Sequence, residues 1–266
     1  MQSINLNPRF LPPRVNLAGL YEKEGDLERA IRIYQEIVVL MPGHSPVHAK
    51  LAHLHIKNGD TDAALSQYQH LLAVAPQFDE DIALKIGLLH YEQGNFADAE
   101  KLFERIIELN SENQHARYYL GETYIKTNNP EKATRAFQAV TPDSDLFPQA
   151  RIQIAFIHRQ AKDYHSAQQV LQEALELYPS DITLYHALAI AQAENKDYEN
   201  AIQTLQKALE YEPEEEYLLL YLGHLHQKAG RFDESIAVMR AVLDINANNA
   251  DALNFIGYMY AERNIH

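Results

Sequence analysis

The chain has 266 residues, 46% of them apolar and 23% charged, with a formal net charge of −14 and no cysteine. Acidity on this scale disfavours a nucleic-acid partner, because phosphate contacts need a basic face, and the lack of cysteine excludes disulfides, thiol catalysis and thiolate metal sites. No apolar run approaches the roughly 20 residues that span a bilayer, and Met1-Gln2-Ser3-Ile4-Asn5-Leu6 has neither a basic start nor an apolar signal region.

Two ladders of small residues run along the sequence. One is Ala30, Ala64, Ala99, Ala133, Ala167, Ala201 and Ser235. The other is Ala18, Ala52, Gly87, Gly121, Ala155, Ala189, Gly223 and Gly257. Each steps by 34 residues, with a single step of 35. Two ladders in one register mean an internal repeat, and a repeat stacks neighbour on neighbour without a single central core.

In chain order, residues 1–10 read as the tail of a preceding repeat, since Pro8 lies 34 before Pro42. Full repeats are expected over 11–249, starting at Leu11, Ser45, Glu80, Gln114, Pro148, Ile182 and Glu216. Residues 250–266 read as the first helix of an incomplete eighth. Both ends therefore suggest a fragment of a longer array. Within each repeat, positions 4, 7, 8 and 11 share one face of a first helix, as in Tyr185, Leu188, Ala189 and Gln192. Positions 20, 24 and 27 share the inner face of a second helix, as in Ala99, Phe103 and Ile106. Small residues at 8 and 20 allow the two helices a close approach. Position 15 holds Gly25, Gly59, Gly94 and Gly230, or Asn128, residues that accept the left-handed backbone ending a helix. Position 32 is often proline: Pro42, Pro76, Pro179 and Pro213. Repeat four is irregular. Thr141-Pro142-Asp143-Ser144-Asp145-Leu146-Phe147-Pro148 is turn chemistry, so its second helix should be short. Leu146 and Phe147 are expected to pack back over the neighbouring repeat, with an exposed contact as the alternative.

These residues resemble the tetratricopeptide repeat, a helix–turn–helix unit of about 34 residues. The resemblance covers essentially the whole chain. It implies an all-α, right-handed superhelical solenoid of antiparallel helix pairs: seven full repeats and a partial eighth. The chain departs from the family pattern at position 4, which is never tryptophan, and at position 27, which is often larger than alanine.

Catalytic signatures do not assemble. Eight of the ten glycines fall at position 8 or 15, so no phosphate-cradling loop can be built. There is no His-Glu-x-x-His and no Gly-x-Ser-x-Gly. His55, His90, His158 and His226 all occupy position 11, where Tyr21, Tyr124 and Tyr260 stand in sister repeats, and read as hydrogen-bonding core residues of aromatic size. Neither an enzyme nor a cofactor or metal site is expected.

Positions 2, 5, 9 and 12 form a second stripe on the first helix, roughly 130° from the core stripe on a wheel of about 100° per residue. The family resemblance implies that this stripe lines the concave surface. It is apolar and aromatic where a solvated face should be polar, which suggests an interaction surface. Repeat two contributes Lys50 and His53. Repeat three contributes Leu84, Lys85, Leu88 and Tyr91. Repeat four contributes Tyr118, Tyr119, Glu122, Ile125 and Lys126. Ile152, Phe156 and Arg159 follow in repeat five, Ile190 in repeat six and Tyr221 in repeat seven; of the residues named, Lys50, Lys85, Tyr119 and Tyr221 stand beside the stripe at position 6 and Lys126 at position 13. Lys50, Lys85, Lys126 and Arg159 read first as ordinary solvated charges, the alternative being that they hold an acidic side chain or a terminal carboxylate of a peptide. Burial of the stripe against neighbouring first helices is the competing reading. The carboxylate clamp of chaperone-binding relatives has no matching window here. Thr141-Pro142-Asp143-Ser144, Pro148-Gln149-Ala150-Arg151 and Asp251–Tyr258 look like strings of long bacterial tetratricopeptide proteins, some of them envelope lipoproteins that act as adaptors.

The sequence thus predicts a non-catalytic scaffold or adaptor that binds a protein or peptide segment in a groove, without nucleic acid or membrane insertion, in the cytoplasm or periplasm. The alternative is an assembly element that self-associates through its open ends, the C-terminal end in particular.

Overall fold

A computed structural model describes residues 11–262. The expected tail at 1–10 and the last residues, 263–266, lie outside the described residues. Fifteen helices and no strand occur among the described residues. They fall into two compact units that meet between Asn129 and Pro130, inside the irregular repeat.

The first unit holds α1 (Leu11–Lys23), α2 (Leu27–Leu40), α3 (Ser45–Lys57), α4 (Thr61–Val74), α5 (Glu80–Glu92), α6 (Phe96–Leu109) and α7 (Gln114–Lys126). Consecutive helices pack as hairpins. Asp26 and Asp60 cap α2 and α4 by accepting from the backbone N–H groups of Arg29 and Ala63, which satisfies donors that the first turn leaves free. Gly25, Gly59 and Gly94 end the preceding helices at φ near +80° (81°, 78° and 78°). The core lies on the expected faces. Ala18, Ala30 and Ile37 are fully buried with Leu51 and Leu54, and Ala99, Phe103 and Ile106 are fully buried on α6. Each large side chain buried this way stabilises by about 1.5–3 kcal/mol.

The second unit holds α8 (Pro130–Gln138), α9 (Phe147–Gln160), α10 (Tyr164–Leu177), α11 (Ile182–Glu194), α12 (Tyr198–Tyr211), α13 (Glu216–Lys228), α14 (Phe232–Ile245) and α15 (Ala250–Glu262). Tyr185, Leu188, Ala189 and Gln192 are all buried, as are Leu219, Leu222 and His226. Two turns depart from the glycine rule: Lys162 and Lys196 stand at position 15 with φ of 61° and 63°. The short helix is α8, of nine residues. Arg151 on α9 closes it by donating to the carbonyls of Gln138 and Val140 while its guanidinium lies 4.3 Å from the Phe147 ring centroid. Phe147 is buried and stacks on Tyr178 at 5.7 Å, and the Tyr178 hydroxyl donates to the Pro142 carbonyl. The Phe147 ring therefore packs back over the neighbouring repeat.

The position-11 histidines divide. His55 and His226 are buried, His90 and His158 half-buried. They fill aromatic-sized space, but Nδ1 of His55, His90 and His226 finds no hydrogen-bond partner among the described residues. His55 Nδ1 nevertheless faces the Asp60 carboxylate at 3.3 Å and His158 Nδ1 faces Asp163 at 3.5 Å, so the expected polar role departs only at Nδ1 of His90 and His226, where the ring fills the space by its size. Burial, reinforced by Arg231, holds the His226 imidazole below its ordinary pKa.

Candidate functional site

In the first unit the stripe is carried by α3, α5 and α7. Leu84 and Leu88 of α5 are half-buried, and Lys85 is exposed with its ammonium 5.8 Å from the Tyr68 ring centroid. Tyr91, in the last turn of α5, reaches across to α7, where its hydroxyl donates to Glu122 Oε2 at 3.4 Å. The Tyr118 hydroxyl hydrogen-bonds the same carboxyl group. The three rings meet edge to face: Tyr91 lies 6.5 Å from Tyr119, and Tyr118 lies 5.4 Å from Tyr119. Tyr119 in turn stacks on the core residue Phe103 at 6.1 Å, so the cluster is anchored from below. Burial raises the Glu122 pKa, and the Tyr118 and Tyr91 hydroxyls and the Lys126 charge oppose it. Burial first, then the Glu122 charge, pushes Tyr91 up to about 12. Tyr91, Tyr118, Tyr119 and Glu122 are thus one group. Ile125 is half-buried and Lys126 exposed on the same helix.

Lys50 belongs to a different constellation. Its ammonium sits 2.7 Å from the Glu22 carboxylate of α1, which Lys57 also contacts at 3.2 Å. Lys50 above all holds Glu22 below the usual carboxylate range. His53 on the same helix is exposed.

In the second unit Ile152 and Ile190 are half-buried, and Phe156 is 37% exposed. Arg159 of α9 grips Glu194 of α11 with Nε and Nη2. Beside this pair His186 lies between two tyrosines, 5.1 Å from the Tyr217 ring and 5.3 Å from Tyr221, edge to face with both. Burial, then the Arg159 charge, holds His186 below its ordinary pKa, and burial pushes Tyr221 up to about 12. The sequence reading did not single out His186. The signal was present in the register, since His186 stands at position 5 of its repeat, as Leu84, Tyr118 and Ile152 do in theirs.

Half-buried rings are therefore available in both units, but two of the cations for which a peptide carboxylate was the alternative partner, Lys50 and Arg159, already face carboxylates of this chain. The stripe offers ring faces, ring edges and hydrogen-bonding groups more than free positive charge.

The family model of the tetratricopeptide repeat matches residues 21–85, 90–153, 158–219 and 192–257. No curated protein matches the chain. Among solved structures, a tetratricopeptide repeat protein from Parabacteroides merdae is similar at a TM-score of 0.62 with 17% identity, over 93% of this chain and 97% of that one. The C-terminal part of a repeat-containing protein from Cytophaga hutchinsonii reaches 0.68 with 13% identity, over 90% and 98%. YrrB, a repeat protein with an unusual peptide-binding site, reaches 0.50 with 16% identity, over 66% and 91%. At these identities the likeness concerns the fold. With matched segments extending over most of its length, this chain belongs to the tetratricopeptide repeat family.

Proposed function

We propose that the protein is a non-catalytic adaptor that holds a protein or peptide segment on the first-helix stripes of its repeats. The observation that carries this reading is the group of half-exposed rings: Tyr91, Tyr118 and Tyr119 in one unit, and Phe156 in the other. Aromatic anchors dominate interface energetics, while the contacts around them are close to neutral. The family is generally one of interaction scaffolds, and a peptide-binding site in YrrB is in keeping with the reading. No helix among the described residues is long and apolar enough to cross a membrane, and cytoplasm and periplasm both accommodate such an adaptor.

The test is capture of partners from a native lysate by the parent and by a Tyr118→Ala, Phe156→Ala double variant with unchanged circular dichroism. Loss of every partner supports the reading. Retention of all of them, together with loss on substituting exposed second-helix residues, overturns it.

A second reading, self-association through α15, rests on Leu253 and Tyr258, which are 50% and 58% exposed.

A further inference from the structure

Two cations of the stripes are neutralised within the chain. Lys50 is held by Glu22 and Arg159 by Glu194. Glu122 differs. Its carboxyl group takes hydroxyl donors from Tyr91 and Tyr118, yet Oε1 is buried without a hydrogen-bond partner among the described residues. A carboxylate can accept about four hydrogen bonds, and burying one with spare capacity costs free energy unless a donor arrives. The carboxyl group is bordered by the hydroxyl ends of Tyr91 and Tyr118.

We propose that Glu122, Tyr91 and Tyr118 form a seat for a cationic side chain, lysine or arginine, of a bound segment. The proposal rests on the stripe reading above and gives the partner a chemistry: it is basic. An apolar side chain placed there would desolvate the carboxylate further and leave it unpaired. An acidic one would meet like charge in a half-buried setting, where repulsion is poorly screened. The whole chain favours the same sign, with 37 acidic against 23 basic residues, so a basic partner is also steered towards it. Lys126 stands one turn along the helix, and its charge reaches the same carboxyl group. Being exposed, it can swing into solvent when another cation docks, and it competes with that cation until it does.

The probe is a peptide obtained by selecting phage-displayed random dodecapeptides against the full 266-residue chain. The expected peptides carry lysine or arginine at one recurrent position. Glu122→Gln, which keeps an acceptor for both tyrosine hydroxyls, should weaken binding of such a peptide about tenfold, a typical coupling for a close charge pair. Replacing the basic residue of the peptide by glutamine should weaken it to a similar extent, and the two changes together should add little. Lys126→Ala should strengthen binding. The neutral-peptide arm needs no protein variant, so it decides the matter even where Glu122→Gln fails to fold. Selected peptides that are acidic, or that lose binding on Tyr118→Ala but not on Glu122→Gln, overturn the cation seat and leave the stripe reading standing. Peptides indifferent to Tyr118→Ala, Phe156→Ala and Glu122→Gln alike overturn both.

Discussion

Arg159 clasps Glu194 through two parallel contacts, Nε to Oε2 at 2.9 Å and Nη2 to Oε1 at 2.5 Å, across 35 residues of sequence. The pair joins the first helices of adjacent repeats, α9 and α11. Arg159 holds the Glu194 carboxyl below its ordinary pKa. A carboxylate whose pKa is lower folded than unfolded contributes stability above its unfolded pKa and loses it as pH falls through the folded value. Glu194 is 40% exposed, so screening keeps the contribution to about 0.5 kcal/mol. Denaturation of the parent and of Glu194→Gln should therefore differ slightly at neutral pH and converge in acid below the usual carboxylate range. A gap that widens in acid would show that the pair does not act this way.

Gly87 and Gly257 occupy the same ladder position in different surroundings. A Cβ on Gly87 would lie 2.6 Å from the Phe103 ring, whereas one on Gly257 would meet nothing within 4 Å. Gly87→Leu should overpack the α5–α6 contact and cost about 1–3 kcal/mol. Gly257→Ala should stabilise α15 by up to about 1 kcal/mol through helix propensity alone. Denaturation midpoints read both, and opposite signs are the expected outcome.

Lys196 ends α11 at φ of 63°, in the place that sister repeats give to glycine. An L-residue other than glycine pays roughly 1–2 kcal/mol for that backbone. Lys196→Gly should relieve part of it, less the added flexibility of the unfolded chain, for a net gain of about 0.5 kcal/mol. Gly94→Ala, the reverse change at φ of 78°, should destabilise by about 1 kcal/mol. A common sign for the two would contradict the argument.

Leu253 and Tyr258 leave apolar surface on α15, while Ala252, Phe255 and Met259 bury the opposite side against the preceding repeat. Exposed apolar faces of this kind associate. Sedimentation across a wide concentration range should show reversible self-association that Leu253→Lys with Tyr258→Lys abolishes. A concentration-independent monomer would remove the self-association reading.

The fold was readable because its cause is periodic. Close helix packing demands a small residue at Ala99 and again at Ala167, and the interval between them reports the repeat regardless of what surrounds it. The fully buried Phe103 and Leu171 follow from the same register. So does the placement of Tyr118 and Phe156 on the second stripe, since helix geometry fixes which residues share a face. The local breaks were readable too: turn residues after Gln138 cannot continue α8. The state of the charges was not. Lys50 meets Glu22 and Arg159 meets Glu194 across neighbouring repeats, 28 and 35 residues apart, and the sequence makes these lysines and arginines look free. Nor did periodicity reveal His186 between Tyr217 and Tyr221, or Glu122 beneath two tyrosine hydroxyls. Those relations depend on how one repeat is set against the next and which rotamers that packing leaves open. Sequence determined the repeat, its core and its stripes through local geometry. Tertiary packing alone decided which polar groups on those stripes are already satisfied, and so which remain to recognise a partner.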